Sequence, residues 1–158
     1  KTAYEISLGL VGSEMCIRDR FYTNYNSNKG QSIAHDHRVC LSFFWQSMER
    51  QVIIQGIATK LSAKDSDHYF NSRPRGSQLG AHVSDQSTKI QDRTALESKL
   101  ESLEAQYQDR PIPRPTHWGG YVVTPSSIEF WQGRANRLHD RLVNRWETSS
   151  WTITRLSP

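Results

Sequence analysis

"WGGYVVTPSSIEFWQGRANRLHDRLVNRWETSSWTITRL", residues 118–156, decides the fold class. "WGGYVVT", "SIEFWQ" and "RLHDRLVNRW" read as three strands in succession, and "WTITRL" as a fourth. The segments between them are too short for crossover helices, so the strands predict an antiparallel sheet or barrel. Upstream, "RVCLSFFW" (38–45) reads as a buried strand and "QVIIQGIATKL" (51–61) as a second, β-branched one, with "SMER" as the hairpin connection. "FYTNY" (21–25) reads as a further short strand.

Helix signals are present but short. "KGQSIAHDH" (29–37) predicts a short helix or turn. Ser62 and Asp65 have capping-box spacing before "AKDSDHYFNS", and Pro74 disfavours helix at Arg73. "GSQLGAHVS" (76–84) reads as another short helix. Thr94 and Glu97 form a clearer capping box, followed by Leu96, Leu100, Leu103 and Tyr107 on one helical stripe, which is read as core packing. "DRPIPRP" (109–115) is a proline-rich loop. The expected class is mainly antiparallel β with short helices (α+β).

Bulk composition narrows the chemistry. The 158 residues suit one domain, and a 35% hydrophobic fraction allows only a modest core. The net charge of +4 permits nucleic acid, but the cations are dispersed rather than gathered into a basic run, so no nucleic-acid partner is expected. No apolar run is long enough to span a membrane, and no membrane partner is expected. "ISLGLVG" follows Glu5, lacks a basic leader and makes a poor signal peptide. Cys16 and Cys40, without an export signal, point to a reduced, cytoplasmic protein. "HDHRVC" (35–40) holds zinc-type residues, His35, His37 and Cys40, but no second ligand cluster follows. The expectation is therefore no metal, with Cys40 packed inside its strand as a small apolar residue.

Two stretches carry recognition chemistry. "EFWQGRANRLHDR" (129–141) combines two aromatics, three arginines, a histidine and an aspartate with few aliphatics. Aromatic faces beside fixed cations suit a flat, anionic ligand. "SRPRGSQLGAHVSDQS" (72–87) offers two arginine forks, hydroxyls and a glycine-flanked turn, a set that binds phosphate; a solvated loop is the plain alternative. No nucleophile elbow, zincin motif or Walker loop is present, so an enzyme of this sequence would draw its hard chemistry from a bound cofactor.

"IEFWQGRANRLHDR" closely resembles the C-terminal signature of the pyridoxine/pyridoxamine 5'-phosphate oxidase family. "FYTNYNSNKG", "ERQVIIQG", "SRPRGSQLGAHVSDQS", "PRPTHWGGY" and "WTITRLSP" resemble that family too, in its order, over residues 21–158. The resemblance implies an FMN-binding split β-barrel that forms a homodimer with FMN at the subunit interface. It implies oxidation of pyridoxine or pyridoxamine 5'-phosphate to pyridoxal 5'-phosphate, with O2 as acceptor and H2O2 released. It also implies roles. Arg137 and His139 match the catalytic pair that holds the substrate ring. Tyr69, Arg73 and Ser77 match the cradle of the substrate phosphate. Tyr22, Thr23, Lys29, Gln51, Gln86, Ser87, Trp131 and Arg141 match FMN contacts. A flavin- or B6-phosphate-binding protein without turnover, or an inactive fragment of the oxidase, is the alternative; retention of Arg137 and His139 favours the enzyme.

The chain departs from the family pattern twice. Asn28 stands where the family has Arg before the lysine, removing a charge. Upstream of Phe21, "SLGLVGSEMCIRDR" replaces the family's strands and resembles a translated sequencing-adapter read. Residues 1–20 are therefore expected to be foreign to an N-terminally truncated family domain at 21–158, which would expose strand edges.

Overall fold

The computed structural model describes residues 19–158. Of the segment expected to be foreign, only Asp19 and Arg20 fall among the described residues; Cys16 lies outside them. Strands β1 (Asp19–Asn24), β2 (Arg38–Trp45), β3 (Arg50–Lys60), β4 (Trp118–Gln132), β5 (Asp140–Glu147) and β6 (Ser150–Leu156) form one sheet in the order β2-β3-β4-β5-β6, with β1 also paired to β4. The β2–β3, β4–β5 and β5–β6 pairs are antiparallel. Helices α1 (Asn28–His35), α2 (Ala63–Ser72), α3 (Arg75–Val83) and α4 (Arg93–Gln106) complete the α+β class read from the sequence.

Local chemistry explains most element ends. The Ser27 hydroxyl accepts from the Gly30 N–H at 3.1 Å and starts α1. The Ser62 hydroxyl accepts from the Asp65 N–H at 3.0 Å, as its spacing predicts, and α2 ends at Ser72, ahead of Pro74. Helix α4 corrects the sequence reading. Its cap is Asp92, whose carboxylate accepts from the Ala95 N–H at 2.9 Å, and Thr94 lies inside the first turn. A carboxylate satisfies the positive helix start with a full charge, which a threonine hydroxyl lacks.

The residues divide into two compact units, Arg38–Ala58 with Val123–Pro158, and Arg20–His37 with Thr59–Val122. The core of the first joins Ile54, Ile128, Phe130 and Leu142, with Leu41, Val52 and Trp151 packed against it. The core of the second joins Phe70, Leu79, Ala81, Ile112 and Trp118. Leu100, Leu103 and Tyr107 of the α4 stripe pack onto that core, as expected, while staying half-buried.

Three further expectations are corrected. "WGGYVVT" and "SIEFWQ" are one strand, β4, which continues through Pro125. Strand β2 is not buried: Phe43, Phe44 and Trp45 are 41%, 59% and 42% exposed, because β2 ends the sheet order and no described strand pairs beyond it. Cys40 shares that edge and is exposed rather than packed inside. The β5–β6 hairpin turns through Thr148 and Ser149, both at positive φ (46° and 71°), the conformation that lets two residues match the twist of the flanking strands.

Gly56 of β3 permits a close backbone crossing. A Cβ there would lie 2.3 Å from the Thr124 carbonyl oxygen and 2.9 Å from the Pro125 Cα. Backbone cannot swing aside as a side chain can. Gly56→Ala is expected to destabilise the protein by about 1–3 kcal/mol, the usual range for overpacking. Urea unfolding would show a lower midpoint at unchanged slope; an unmoved midpoint would mean the two strands separate freely at this point.

Candidate functional site

The candidate residues fall on both units. In the second unit, Arg20, Phe21, Tyr22, Tyr69, Arg73 and Trp118 line an open cleft of about 530 Å³. Tyr22 stacks on Tyr69 with ring centroids 3.6 Å apart, and Trp118 lies nearly parallel to both. The Arg73 guanidinium sits 4.6 Å from the Trp118 ring centroid and 5.8 Å from that of Phe70. Its Nη1 is buried and has no hydrogen-bond partner among the described residues. Burial lowers the Arg73 pKa from its ordinary value, with Tyr69 opposing; a guanidinium nonetheless keeps its proton in proteins. The cleft thus holds a fixed, under-satisfied cation between aromatic faces.

Sequence order explains how Arg73 is held. Pro74 forces Arg73 into extended backbone at the end of α2. The Gln78 amide then donates to the carbonyls of Phe70 (3.2 Å) and Arg73 (3.0 Å), which pins the α2–α3 bend. The second arginine of the motif, Arg75, does different work. It donates to the Tyr107 and Arg110 carbonyls and ties the loop after α4. Ser77 is half-buried in the first turn of α3 and does not line the cleft. Gly120 lets Tyr22 lie close over β4, since a Cβ there would meet the Tyr22 ring at 2.8 Å.

The other candidates of this unit gather partly. The buried Thr23 hydroxyl donates to Gln86 Oε1 at 3.1 Å, and the Asn24 N–H donates to the same oxygen at 3.2 Å. That leaves the Gln86 amide nitrogen as a further donor. Ser87 follows at φ 71°. The Lys29 ammonium is 5.7 Å from the Phe21 ring centroid. Asn28, the uncharged departure, is the exposed first residue of α1.

In the first unit, Trp45, Met48, Arg50, Gln51, Val52, Phe130, Trp131 and Gln132 line a mostly apolar cavity of about 230 Å³. Two of the candidates, Gln51 and Trp131, belong to it. Gln51 donates to the Ser42 hydroxyl at 3.1 Å. Trp131 and Arg141 are direct partners across β4 and β5, so one face carries both. The Arg141 guanidinium donates to Glu129 at 2.7 Å, and that bond raises its pKa. The Trp131 and His139 rings lie 4.9 Å apart. Between them in sequence, Asn136 and Arg137 adopt left-handed backbone at φ 56° and 61°, with both side chains exposed. Such residues persist only where their surroundings hold them, and they cluster at functional sites.

Sequence reasoning missed Phe21, Trp118 and Gln78, and it set Arg20 outside the domain. The signal for Trp118 was available: an aromatic beside Gly-Gly can pack closer than one beside ordinary residues. It also missed Asp140, which joins Arg134 at 2.8 Å and Arg155 at 2.6 Å. Those hydrogen bonds, Arg134's first, hold the Asp140 carboxyl below its ordinary pKa. Its contribution to stability is therefore complete above the unfolded carboxylate value and is lost as pH falls through the lower folded one. Urea unfolding from pH 6 to 2 should show the parent losing stability from about pH 4 downward. Asp140→Asn should lack this component; identical pH profiles would show that the clamp adds none.

Residues 18–107 match the pyridoxamine 5'-phosphate oxidase family, and residues 118–158 match the pyridoxine 5'-phosphate oxidase C-terminal dimerisation region. The chain is 62% identical over 138 residues to a pyridoxine/pyridoxamine 5'-phosphate oxidase of Flavobacterium johnsoniae, covering 87% of this chain and 64% of that protein. It is 55% identical over 138 residues to the Cyanothece sp. protein of the same name, covering 87% and 65%. It thus spans less than two thirds of the length of these curated relatives. Among solved structures, PhzG from Burkholderia lata, bound to tetrahydrophenazine-1-carboxylic acid, superposes with a TM-score of 0.83 at 28% identity, covering 92% of this chain and 72% of that one. A pyridoxamine 5'-phosphate oxidase-related, FMN-binding protein from Nostoc punctiforme shares the fold, with a TM-score of 0.70 at 14% identity over 92% of this chain and 76% of that one. With one family match covering more than half of the described fold and a second covering its C-terminal strands, the chain belongs to the pyridoxamine 5'-phosphate oxidase family.

Proposed function

We propose that this chain, at residues 21–158, carries the binding and catalytic residues of an FMN-dependent oxidase that converts pyridoxine or pyridoxamine 5'-phosphate to pyridoxal 5'-phosphate (EC 1.4.3.5). The observation that carries this reading is Arg73. A cation with a buried N–H that no described residue pairs, set among aromatic rings beside Tyr69, suits a phosphate dianion attached to a flat ring. Tyr69 adds a phenol donor in the same cleft; for Ser77, outside that lining, the phosphate role rests on the family resemblance alone. Arg137 and His139 orient the substrate ring.

The donor set also fits FMN. Lys29 supplies a cation for its phosphate, and Thr23, Gln86 and Ser87 supply neutral hydrogen-bonding groups. Trp131 and the cavity beside Gln51 offer an apolar face with an amide at its edge. Tyr22 and Arg141 complete the set. The chemistry FMN supplies when bound is two-electron acceptance from the substrate C4', with O2 as final acceptor and H2O2 released. The protein's part is to hold the substrate phosphate, orient the ring and exclude water.

The working form we propose is a homodimer with FMN at the subunit interface. Phe43 and Trp45 stack with ring centroids 6.2 Å apart on one face of β2 and are exposed, an apolar surface of the kind a second copy covers, and Trp45 and the exposed Met48 also line the cavity beside Gln51. Sedimentation over a range of concentrations tests it, and a strict monomer at all of them would refute it.

The test of function is an FMN titration followed by flavin fluorescence, then a peroxide assay with pyridoxamine 5'-phosphate. Saturable quenching with peroxide formation supports the oxidase. Quenching without turnover favours the non-catalytic binding protein or inactive fragment. Absence of quenching rejects the cofactor assignment for this chain.

A further inference from the structure

Asp140 sits between two arginines that lie far apart in sequence. Its Oδ2 accepts from Arg134 Nε at 2.8 Å and its Oδ1 from Arg155 Nη1 at 2.6 Å. The carboxylate is 28% exposed, so the pair is partly shielded from water. Arg155 is on β6 and Asp140 begins β5, whereas Arg134 precedes the turn that carries Arg137. The main-chain N–H of Arg134 donates to His139 Nδ1 at 3.1 Å. The loop 134–140 is thereby closed twice through one residue, once by the Arg134 side chain and once by its backbone.

This closure has a chemical consequence. An Nδ1 that accepts a hydrogen bond carries no proton, so neutral His139 carries its proton on Nε2. The tautomer is set by a backbone donor whose place depends on where the Arg134 side chain is tied. The same loop contains Asn136 and Arg137 in left-handed backbone, a conformation that costs about 1–2 kcal/mol per residue and relaxes unless restrained. Trp131 packs against the His139 ring and limits its rotation. Among the described residues, the charged group that joins Arg134 to the strands is Asp140.

We propose that Asp140 is a positioning residue: by clamping Arg134 to β5 and β6 it fixes His139 as the Nε2–H tautomer and holds Arg137 in its left-handed backbone. It touches no substrate and acts through Arg134. The functional consequence rests on the reading of Arg137 and His139 as substrate-orienting residues; the tautomer itself does not.

Two readouts separate these. In the purified chain, long-range ¹H–¹⁵N correlation at a pH where His139 is neutral should show Nε2 protonated in the parent. Asp140→Asn should show a mixture of both tautomers. An unchanged tautomer in the variant, or an Nδ1–H tautomer in the parent, overturns the proposal. In the FMN-loaded enzyme, Asp140→Asn should lower kcat about tenfold or more with FMN affinity held within about twofold, as expected for mispositioned groups. Equal loss of both would assign Asp140 a general structural role instead and overturn the proposal. Should Asp140→Asn fail to fold, Arg134→Ala removes the same clamp while keeping the main-chain N–H, and it carries the same readouts. If the loaded parent shows no oxidase activity, the functional reading fails, while the tautomer measurement still decides the proposal.

Discussion

Arg73→Ala is expected to raise the KM for pyridoxamine 5'-phosphate roughly ten- to a hundredfold. A hydrogen bond to a charged group is worth about 1.5–3 kcal/mol, and Arg73 brings one N–H that nothing else among the described residues satisfies. The unliganded fold should tolerate the change well, since the variant also removes the burden of a buried, unpaired donor. Tyr22, Tyr69 and Trp118 retain their mutual stacking, so the cleft walls stay in place. Arg73→Lys should recover only part of the loss, because an ammonium lacks the planar fork and does not lie flat on Trp118 as a guanidinium does. Steady-state kinetics with phosphorylated and unphosphorylated substrate make the test. An unchanged KM for the phosphorylated form would move the phosphate site elsewhere.

Arg137→Ala should lower kcat by about a hundredfold or more while FMN affinity stays near the parent value, because misplacing a bound reactant by about an ångström has effects of that size. Its left-handed backbone sharpens the prediction. Alanine at φ 61° keeps the strain but loses the side chain that would make use of it. Arg137→Gly would relieve the strain, so glycine should be the more stable variant and both should be equally inactive. Thermal unfolding beside turnover resolves the two effects. Equal loss of flavin affinity and turnover would refute the assignment of Arg137 to the substrate ring.

Much of the candidate site's local layout was legible in the sequence because it depends on near neighbours. A proline after Arg73 bends the chain, and Trp131 through Arg141 are brought together by one hairpin. Such features need only near neighbours, and the end of α2 before Pro74 and the β4–β5 pairing stand in the structure as read. The misreadings have two causes. "RVCLSFFW" is apolar enough for a core strand, but burial depends on whether another strand lies beyond it, and β2 ends the sheet order. Cys40 went wrong with it. Thr94 lost the α4 cap to Asp92, two residues upstream, because a charged acceptor outcompetes a hydroxyl at a helix start.

The sequence by itself determined the α+β class, five of the six strand positions closely and the Ser62 cap. Those follow from hydrophobic alternation and capping chemistry, which act over a few residues. Only the tertiary structure decided that β4 runs unbroken through Pro125, that Arg73 rather than Arg75 faces the aromatic cleft, and that Asp140 ties Arg134 to Arg155. Each of these depends on contacts between residues distant along the chain, whose pairing is set by packing and strand register rather than by local preference.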